Sequence, residues 1–201
     1  MQTAPELTLA PWTVEDYHRM IAAGILDDRA VELLEGQIYA MVPEGPEHAY
    51  SEQTLADRFR QLLRDHACIR EDKPITLTNI DSEPEPDIAI ARGTPLDYLR
   101  RHPSAADLLL IVEIANTTLR TDLTRKRDLY ARASIPEYWV VDLQNRRLEI
   151  FRNPDGTTYR DRQTIAGSDS NSSRETDRAI APLAFPDIAI ALAEILPPPP
   201  A

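Results

Sequence analysis

Two acidic residues of this chain stand where acids are costly. In "LLLIVEIANTT" (108–118), five apolar residues from Leu108 to Val112 run straight into Glu113, and Ile114 and Ala115 continue the apolar run. Such a run reads as a strand covered on both faces. An ionised carboxylate buried there costs free energy unless a cation or strong hydrogen bonds compensate it. Asp87 follows Pro86 at the head of a second strand-like run, "PDIAIAR", and the intervening segment is long enough to let the two strands neighbour one another. Two converging carboxylates repel, which raises one pKa or recruits a cation. Hard divalent ions such as Mg2+ take carboxylate and carbonyl oxygens with few protein ligands. Asp87 and Glu113, with the backbone carbonyl of Ile114 as a further oxygen, are therefore a candidate metal site.

After Glu113 the chain passes through "ANTTLR" into the helical pattern "TDLTRKRDLYARAS", with Thr121 or Asp122 as its expected cap. Asp122, Lys126 and Tyr130 recur at a spacing of four, which places them on one helix face. That face returns toward the strand just left, so Lys126 could reach a phosphate or a metal-bound water beside Glu113. The alternative is an i,i+4 pair between Asp122 and Lys126 on a solvated surface, and spacing alone favours it.

The elements that must position these groups follow from pattern. Thr13 with Asp16 has capping-box spacing ahead of a helix in "TVEDYHRMIAAGIL". "VELLEGQIYAMV" reads as a hairpin around Glu35–Gly36. "PEHAYSEQTLADRFRQLLRDHA" opens with Pro46 and places apolar residues at 55, 59, 62 and 63, an amphipathic helix. "PITLTN", "PEYWVVDL", "RRLEIFR" and "TTYRDRQTI" read as strands, "TPLDYLRRHPS" as a surface connection, and "AGSDSNSSRETD" as a loop. "PDIAIA" recurs at 186–191, but no buried strand acid follows it. Asp187 is therefore assigned to a cap of the short closing helix in "FPDIAIALAEIL". Helices among a mixed run of strands indicate an α/β or α+β sheet domain. Residues 1–12 are expected as an N-terminal extension, 13–196 as one domain, and 197–201 as a proline-rich tail.

Composition narrows the options. The chain has 201 residues, 42% hydrophobic and 27% charged, an ordinary globular balance. A single cysteine, Cys68, excludes an internal disulfide and suits a reducing compartment. No segment approaches ~20 consecutive apolar residues and no signal peptide pattern opens the chain, so a cytoplasmic location is expected. The net charge of −11 weighs against a general polyanion binder. Glycine-rich phosphate loops, GxSxG and CxxC are missing, and four scattered histidines with one cysteine make no zinc pattern.

Taken together, "VELLEGQIYAMVPEGPEHAY", "EPDIAI" and "LLLIVEIANTTLRTDLTRKRDLYARASIPEYWVVD" resemble the Uma-type restriction endonuclease family of the PD-(D/E)XK nuclease superfamily, in order and spacing as well as residue type. The resemblance spans Thr13 to Leu196. It implies a restriction-endonuclease-like mixed β-sheet flanked by helices, Mg2+-dependent phosphodiester cleavage (Mn2+ as substitute), DNA as substrate and a homodimer. Asp87 and Glu113 match the family's metal-binding acids and Lys126 its helix-borne lysine. His48, Glu47 and Glu32 fall at positions expected to support the site, together with Asp122 and Tyr130. For His48 a plain hydrogen bond at a helix start, and for Glu32 a structural place at a strand edge, are the alternatives. Tyr138 and Trp139 read as core, and Asp142 as a strand-end turn residue. The superfamily's lysine two residues after the acid is replaced by Ala115, and "ANTT" stands where a serine–proline pair is common in the family. Two other function classes stand beside the nuclease: a catalytically weak or inactive interaction or regulatory protein on the same fold, and a small-molecule phosphohydrolase.

Overall fold

The computed structural model describes residues 8–167 and 179–198. Helix α1 (Val14–Ala22) starts at Thr13, whose hydroxyl accepts from the Asp16 N–H while the Asp16 carboxylate accepts from the Thr13 N–H, the expected capping box. β1 (Val31–Leu34) and β2 (Gln37–Ala40) form the expected hairpin. Glu35 and Gly36 both take positive φ, 52° and 73°, as a two-residue hairpin turn demands. A Cβ at Gly36 would stand 2.5 Å from the Pro11 Cβ, so only glycine fits against the N-terminal segment.

Helix α2 (Pro46–Leu63) is followed by β3 (Cys68–Glu71), β4 (Ile88–Ala91) and β5 (Leu108–Ala115). A helical segment over 119–132, here α3, leads to β6 (Glu137–Asp142), β7 (Arg147–Pro154) and β8 (Tyr159–Ala166). β3 to β8 form one six-stranded sheet in chain order, antiparallel except for the parallel β5–β6 pair that α3 bridges. A short pair, β9 (Ala179–Ile180) with β10 (Ile190–Ala191), and a 3-10 turn at Leu192–Glu194 close the described chain.

Both faces of the sheet are covered. On one, Leu55, Phe59 and Leu63 of α2 pack with Ile88, Val112, Ile114 and Trp139, joined by Ile190 and Ile195. On the other, Leu129 and Tyr130 of α3 and Leu34 of the hairpin pack with Ala89, Ile111, Ala115 and Tyr138. All eight residues of β5 are buried, the central position that its unbroken apolar run requires. Tyr138 and Trp139 are fully buried core residues, and Asp142 ends β6 by accepting from the Asn145 N–H and from Arg147.

Some expectations fail locally. "PITLTN" forms no strand: Thr76 and Leu77 make single bridges and Thr78–Ile80 is a 3-10 turn, while the strand in this region is β3, just upstream. α3 starts at Leu119, so Thr121 and Asp122 lie inside it and neither caps it. Asp122–Lys126 has π geometry, one residue wider per hydrogen bond than an α-turn. Asp187 caps nothing, because β10 and a 3-10 turn replace the closing helix. Pro197 is half-buried, its carbonyl accepting from Arg146, rather than part of a free tail. The expected loop in 168–178 lies outside the described residues.

Candidate active site

The antiparallel register Ile88↔Val112 of β4 and β5, carried one residue further, sets Asp87 across from Glu113 on the face that α3 covers. Cross-strand side chains at such positions stand about 5 Å apart at Cβ. Asp87 Oδ2 accepts from the Ile114 N–H and faces His48 Nε2 at 3.1 Å. Glu113 is 2% exposed, and its two oxygens accept from Lys126 Nζ at 2.8 Å and Tyr130 Oη at 2.7 Å. A buried acid in a strand is thus held by one cation and one hydroxyl from α3. The solvated Asp122–Lys126 pair does not form, since the Lys126 ammonium turns inward to Glu113 instead.

Charge in this cluster is shaped by burial. Burial pushes the Glu113 carboxyl well above its usual range, with Lys126 pulling down and Asp87 and Asp122 adding to the rise. For Lys126, burial opposes the charge but is outweighed by Glu113, Glu32, Asp122 and Asp87, so the ammonium is held charged. Tyr130 is raised well above the phenol range by burial and by Glu113, and remains a donor. Asp122 is pushed up to about 6, mainly by burial, against the pull of Lys126 and the nearby Thr118 hydroxyl. Neither Asp122 oxygen has a hydrogen-bond partner at full geometry.

These groups line a cavity of about 560 Å³ at this end of the sheet, bounded by β2, the Met41–Gly45 segment, the start of α2 and α3. Glu32, His48, Asp87, Glu113, Ile114, Asp122 and Lys126 all reach it, and Tyr130 lies beneath Glu113. Glu32 is buried and accepts weakly from the Glu85 N–H, at 3.4 Å. Glu47 is exposed and does not line the cavity. Glu44 and Glu85 line it without having been singled out from the sequence. Of these, Glu44 was open to reading, since with His48 and Glu52 it forms a ladder at helical spacing.

The donor set suits a hard divalent ion. Asp87 Oδ1 has no protein partner among the described residues, and a ligand oxygen each from Glu44, Asp72 and Asp87 lies within 4.8 Å of the others, a group that shares Asp87 with the proposed site and does not include Glu113. The Asp122 carboxylate, which lacks a hydrogen bond at full geometry, adds further negative charge in the same cavity. Buried acids elsewhere behave differently: Glu137, Asp142 and Glu149 each have an arginine partner. In the cavity Glu113 is paired with Lys126, whereas Glu32 and Asp122 have no ion pair among the described residues, which leaves negative charge that a bound cation would offset.

The fold is a mixed α+β one, a six-stranded sheet flanked by helices. A crystal structure titled as "a putative nuclease belonging to DUF820" from Anabaena variabilis ATCC 29413 is similar, with a TM-score of 0.68 and 13% identity over 92% of this chain and 97% of that one. At that identity the likeness shows the fold alone. The model of the Uma2 family, described as "Putative restriction endonuclease", matches residues 14–193, and the chain belongs to this family. No curated protein matches the chain. No helix among the described residues is long and apolar enough to cross a membrane.

Proposed function

We propose that this protein is a Mg2+-dependent endodeoxyribonuclease of the PD-(D/E)XK type, acting on phosphodiester bonds of DNA. The observation that carries the reading is the buried Lys126–Glu113 ion pair with Asp87 across from it in one cavity. Asp87 and Glu113, with the Ile114 carbonyl, are the residues that would hold the ion. Mg2+ there supplies Lewis acidity toward a phosphate oxygen and lowers the pKa of water, and Mn2+ can substitute.

The chain's own residues do the rest. The Ile114 N–H and His48 orient the Asp87 carboxylate from two sides. Tyr130 and Lys126 hold Glu113 in one rotamer from beneath. Lys126 carries a charge at the cavity wall, so it can stabilise negative charge developing on a phosphate. The cavity's cations are Arg125 and Lys126, set against Glu32, Glu44, Glu85, Asp87, Glu113 and Asp122. A phosphate therefore meets net repulsion until a cation is bound, and DNA binding in chelator should be weak.

The test is incubation of purified protein with supercoiled plasmid and with single-stranded DNA in Mg2+, Mn2+ or EDTA. Cleavage in the metals and none in EDTA supports the reading. Salt-sensitive DNA binding without cleavage in any metal favours the non-catalytic alternative, and turnover of nucleotides but not DNA favours a small-molecule phosphohydrolase. Sedimentation of the same protein decides whether a homodimer sets two clefts against one duplex.

A further inference from the structure

Beside Asp87, and joined to it through His48, lies a second group of donors. Glu44 precedes α2, and His48 and Glu52 follow on its first two turns, stacked by their spacing of four. One ligand atom from each lies within 4.8 Å of the other two. His48 is 8% exposed, and its Nδ1 has no hydrogen-bond partner, although Glu44 Oε2 stands 3.2 Å away outside hydrogen-bond geometry. Glu52 is 6% exposed and has no hydrogen bond or ion pair among the described residues. A carboxylate that is more than nine-tenths buried, with an oxygen within 4.8 Å of a His48 ring nitrogen and of a Glu44 oxygen and with no hydrogen bond or arginine of its own, is an incomplete arrangement. Burial pushes the Glu52 carboxyl up to about 8, with Asp72, Asp87 and Glu44 adding to the rise.

We propose that Glu44, His48 Nδ1 and Glu52 form a second cation site, separate from the Asp87–Glu113 site, that takes a divalent transition ion of the Zn2+ kind. An imidazole with two carboxylates suits such ions better than Mg2+, which prefers oxygen donors and keeps its waters. Bonds of about 2.0–2.2 Å require the three atoms to draw together by roughly an ångström, and Glu44 is on the exposed side of the group. The site connects directly to the main acid. With Nδ1 on the ion, the His48 proton is fixed on Nε2, which donates to Asp87 Oδ2, 3.1 Å away. His48 is then a positioning residue whose ring orientation and tautomer the ion sets. The binding site stands independently of the nuclease reading.

Metal-free protein is titrated with ZnCl2 by calorimetry in millimolar MgCl2, so that any Mg2+ site is already occupied. Saturable binding of one Zn2+ per chain is expected, weakened at least ~10-fold in Glu52→Gln and in Glu44→Gln, as losing a metal-site partner does. Glu113→Gln should bind Zn2+ as the wild type does. Glu44 is exposed, so its variant keeps the test decisive if Glu52→Gln fails to fold. Absence of saturable Zn2+ uptake overturns the proposal. So does loss of binding in Glu113→Gln with retention in Glu44→Gln, which would put the ion between Asp87 and Glu113. Neither outcome depends on whether DNA is cleaved.

Discussion

Lys126→Met keeps an unbranched side chain and removes the ammonium from a buried pair. Glu113, 2% exposed, would then keep only the Tyr130 hydroxyl. Its carboxyl, already raised by burial against an ordinary value of 4.5, loses the main group pulling it down and takes up a proton. Holding that proton at pH 7 costs about 1.4 kcal/mol per pH unit above 4.5, or roughly 3 kcal/mol, in line with the 3–5 kcal/mol typical of a broken buried pair. The sign follows from the raised folded-state pKa. Below about 4.5 both folded and unfolded chains carry the proton and this cost vanishes; it grows as pH rises above that value. Urea unfolding followed by tryptophan fluorescence should therefore show Lys126→Met weaker than wild type by about 3 kcal/mol near pH 7 and by under ~1 kcal/mol at pH 5. Adding Glu113→Gln should remove the pH dependence of the loss. A deficit below ~0.5 kcal/mol at pH 7, as for an exposed pair, or one of equal size at both pH values, would refute the reasoning. Spacing alone suggests that this substitution barely affects folding, and the burial of the pair is what reverses that expectation. If the cleft cleaves DNA, the same change should also slow cleavage ~100-fold or more.

Three further outcomes are expected. In metal-free buffer Asp122→Asn should raise stability at pH 7.5 by about 3 kcal/mol and give almost no gain at pH 4: the native carboxyl sits near 6 against 3.8, so folding loses stability as pH rises between those values. Thermal melts at the two pH values check it, and an unchanged melting temperature at pH 7.5 counts against an uncompensated acid. Tyr130→Phe, which strips one donor from buried Glu113, should cost about 1–3 kcal/mol in urea unfolding, and no change in midpoint would mean the hydroxyl is idle. Phe59→Ala, on the α2 face against Trp139 at a ring separation of 6.0 Å, should cost about 3–5 kcal/mol without altering Zn2+ binding. A smaller loss would mean that α2 packs more loosely on the sheet than the structure shows.

What could be read from residues alone followed how strongly each physical signal was written. The eight-residue run of β5 has one physical solution, a strand covered on both faces, and the single acid inside it marks the site. Thr13 with Asp16, Glu35–Gly36 and Pro46 are local signals that tertiary contacts did not override. β3 was not legible because "CIRE" has neither length nor alternation and is ordered by pairing with β4. "PITLTN" has strand-like residues, but its Ile75 N–H goes to the Pro84 carbonyl and no neighbouring strand extends it. The π turn at Asp122–Lys126 leaves no trace in a four-residue spacing, and whether Lys126 turns in or out depends on it. The pairing of Asp87 with Glu113 depends on register, which a long connection leaves open until the strands are seen together.

The proposed function requires a divalent ion held between Asp87 and Glu113, and anomalous diffraction from crystals soaked in Mn2+ tests that most directly. The expected result is a strong peak within about 2.3 Å of an Asp87 oxygen and a Glu113 oxygen, with Lys126 Nζ displaced from Glu113 or still bonded to its other oxygen. The peak should vanish in crystals of Asp87→Asn. A map with no peak there at saturating Mn2+, or with Mn2+ only at Glu44, His48 and Glu52, would contradict the central claim.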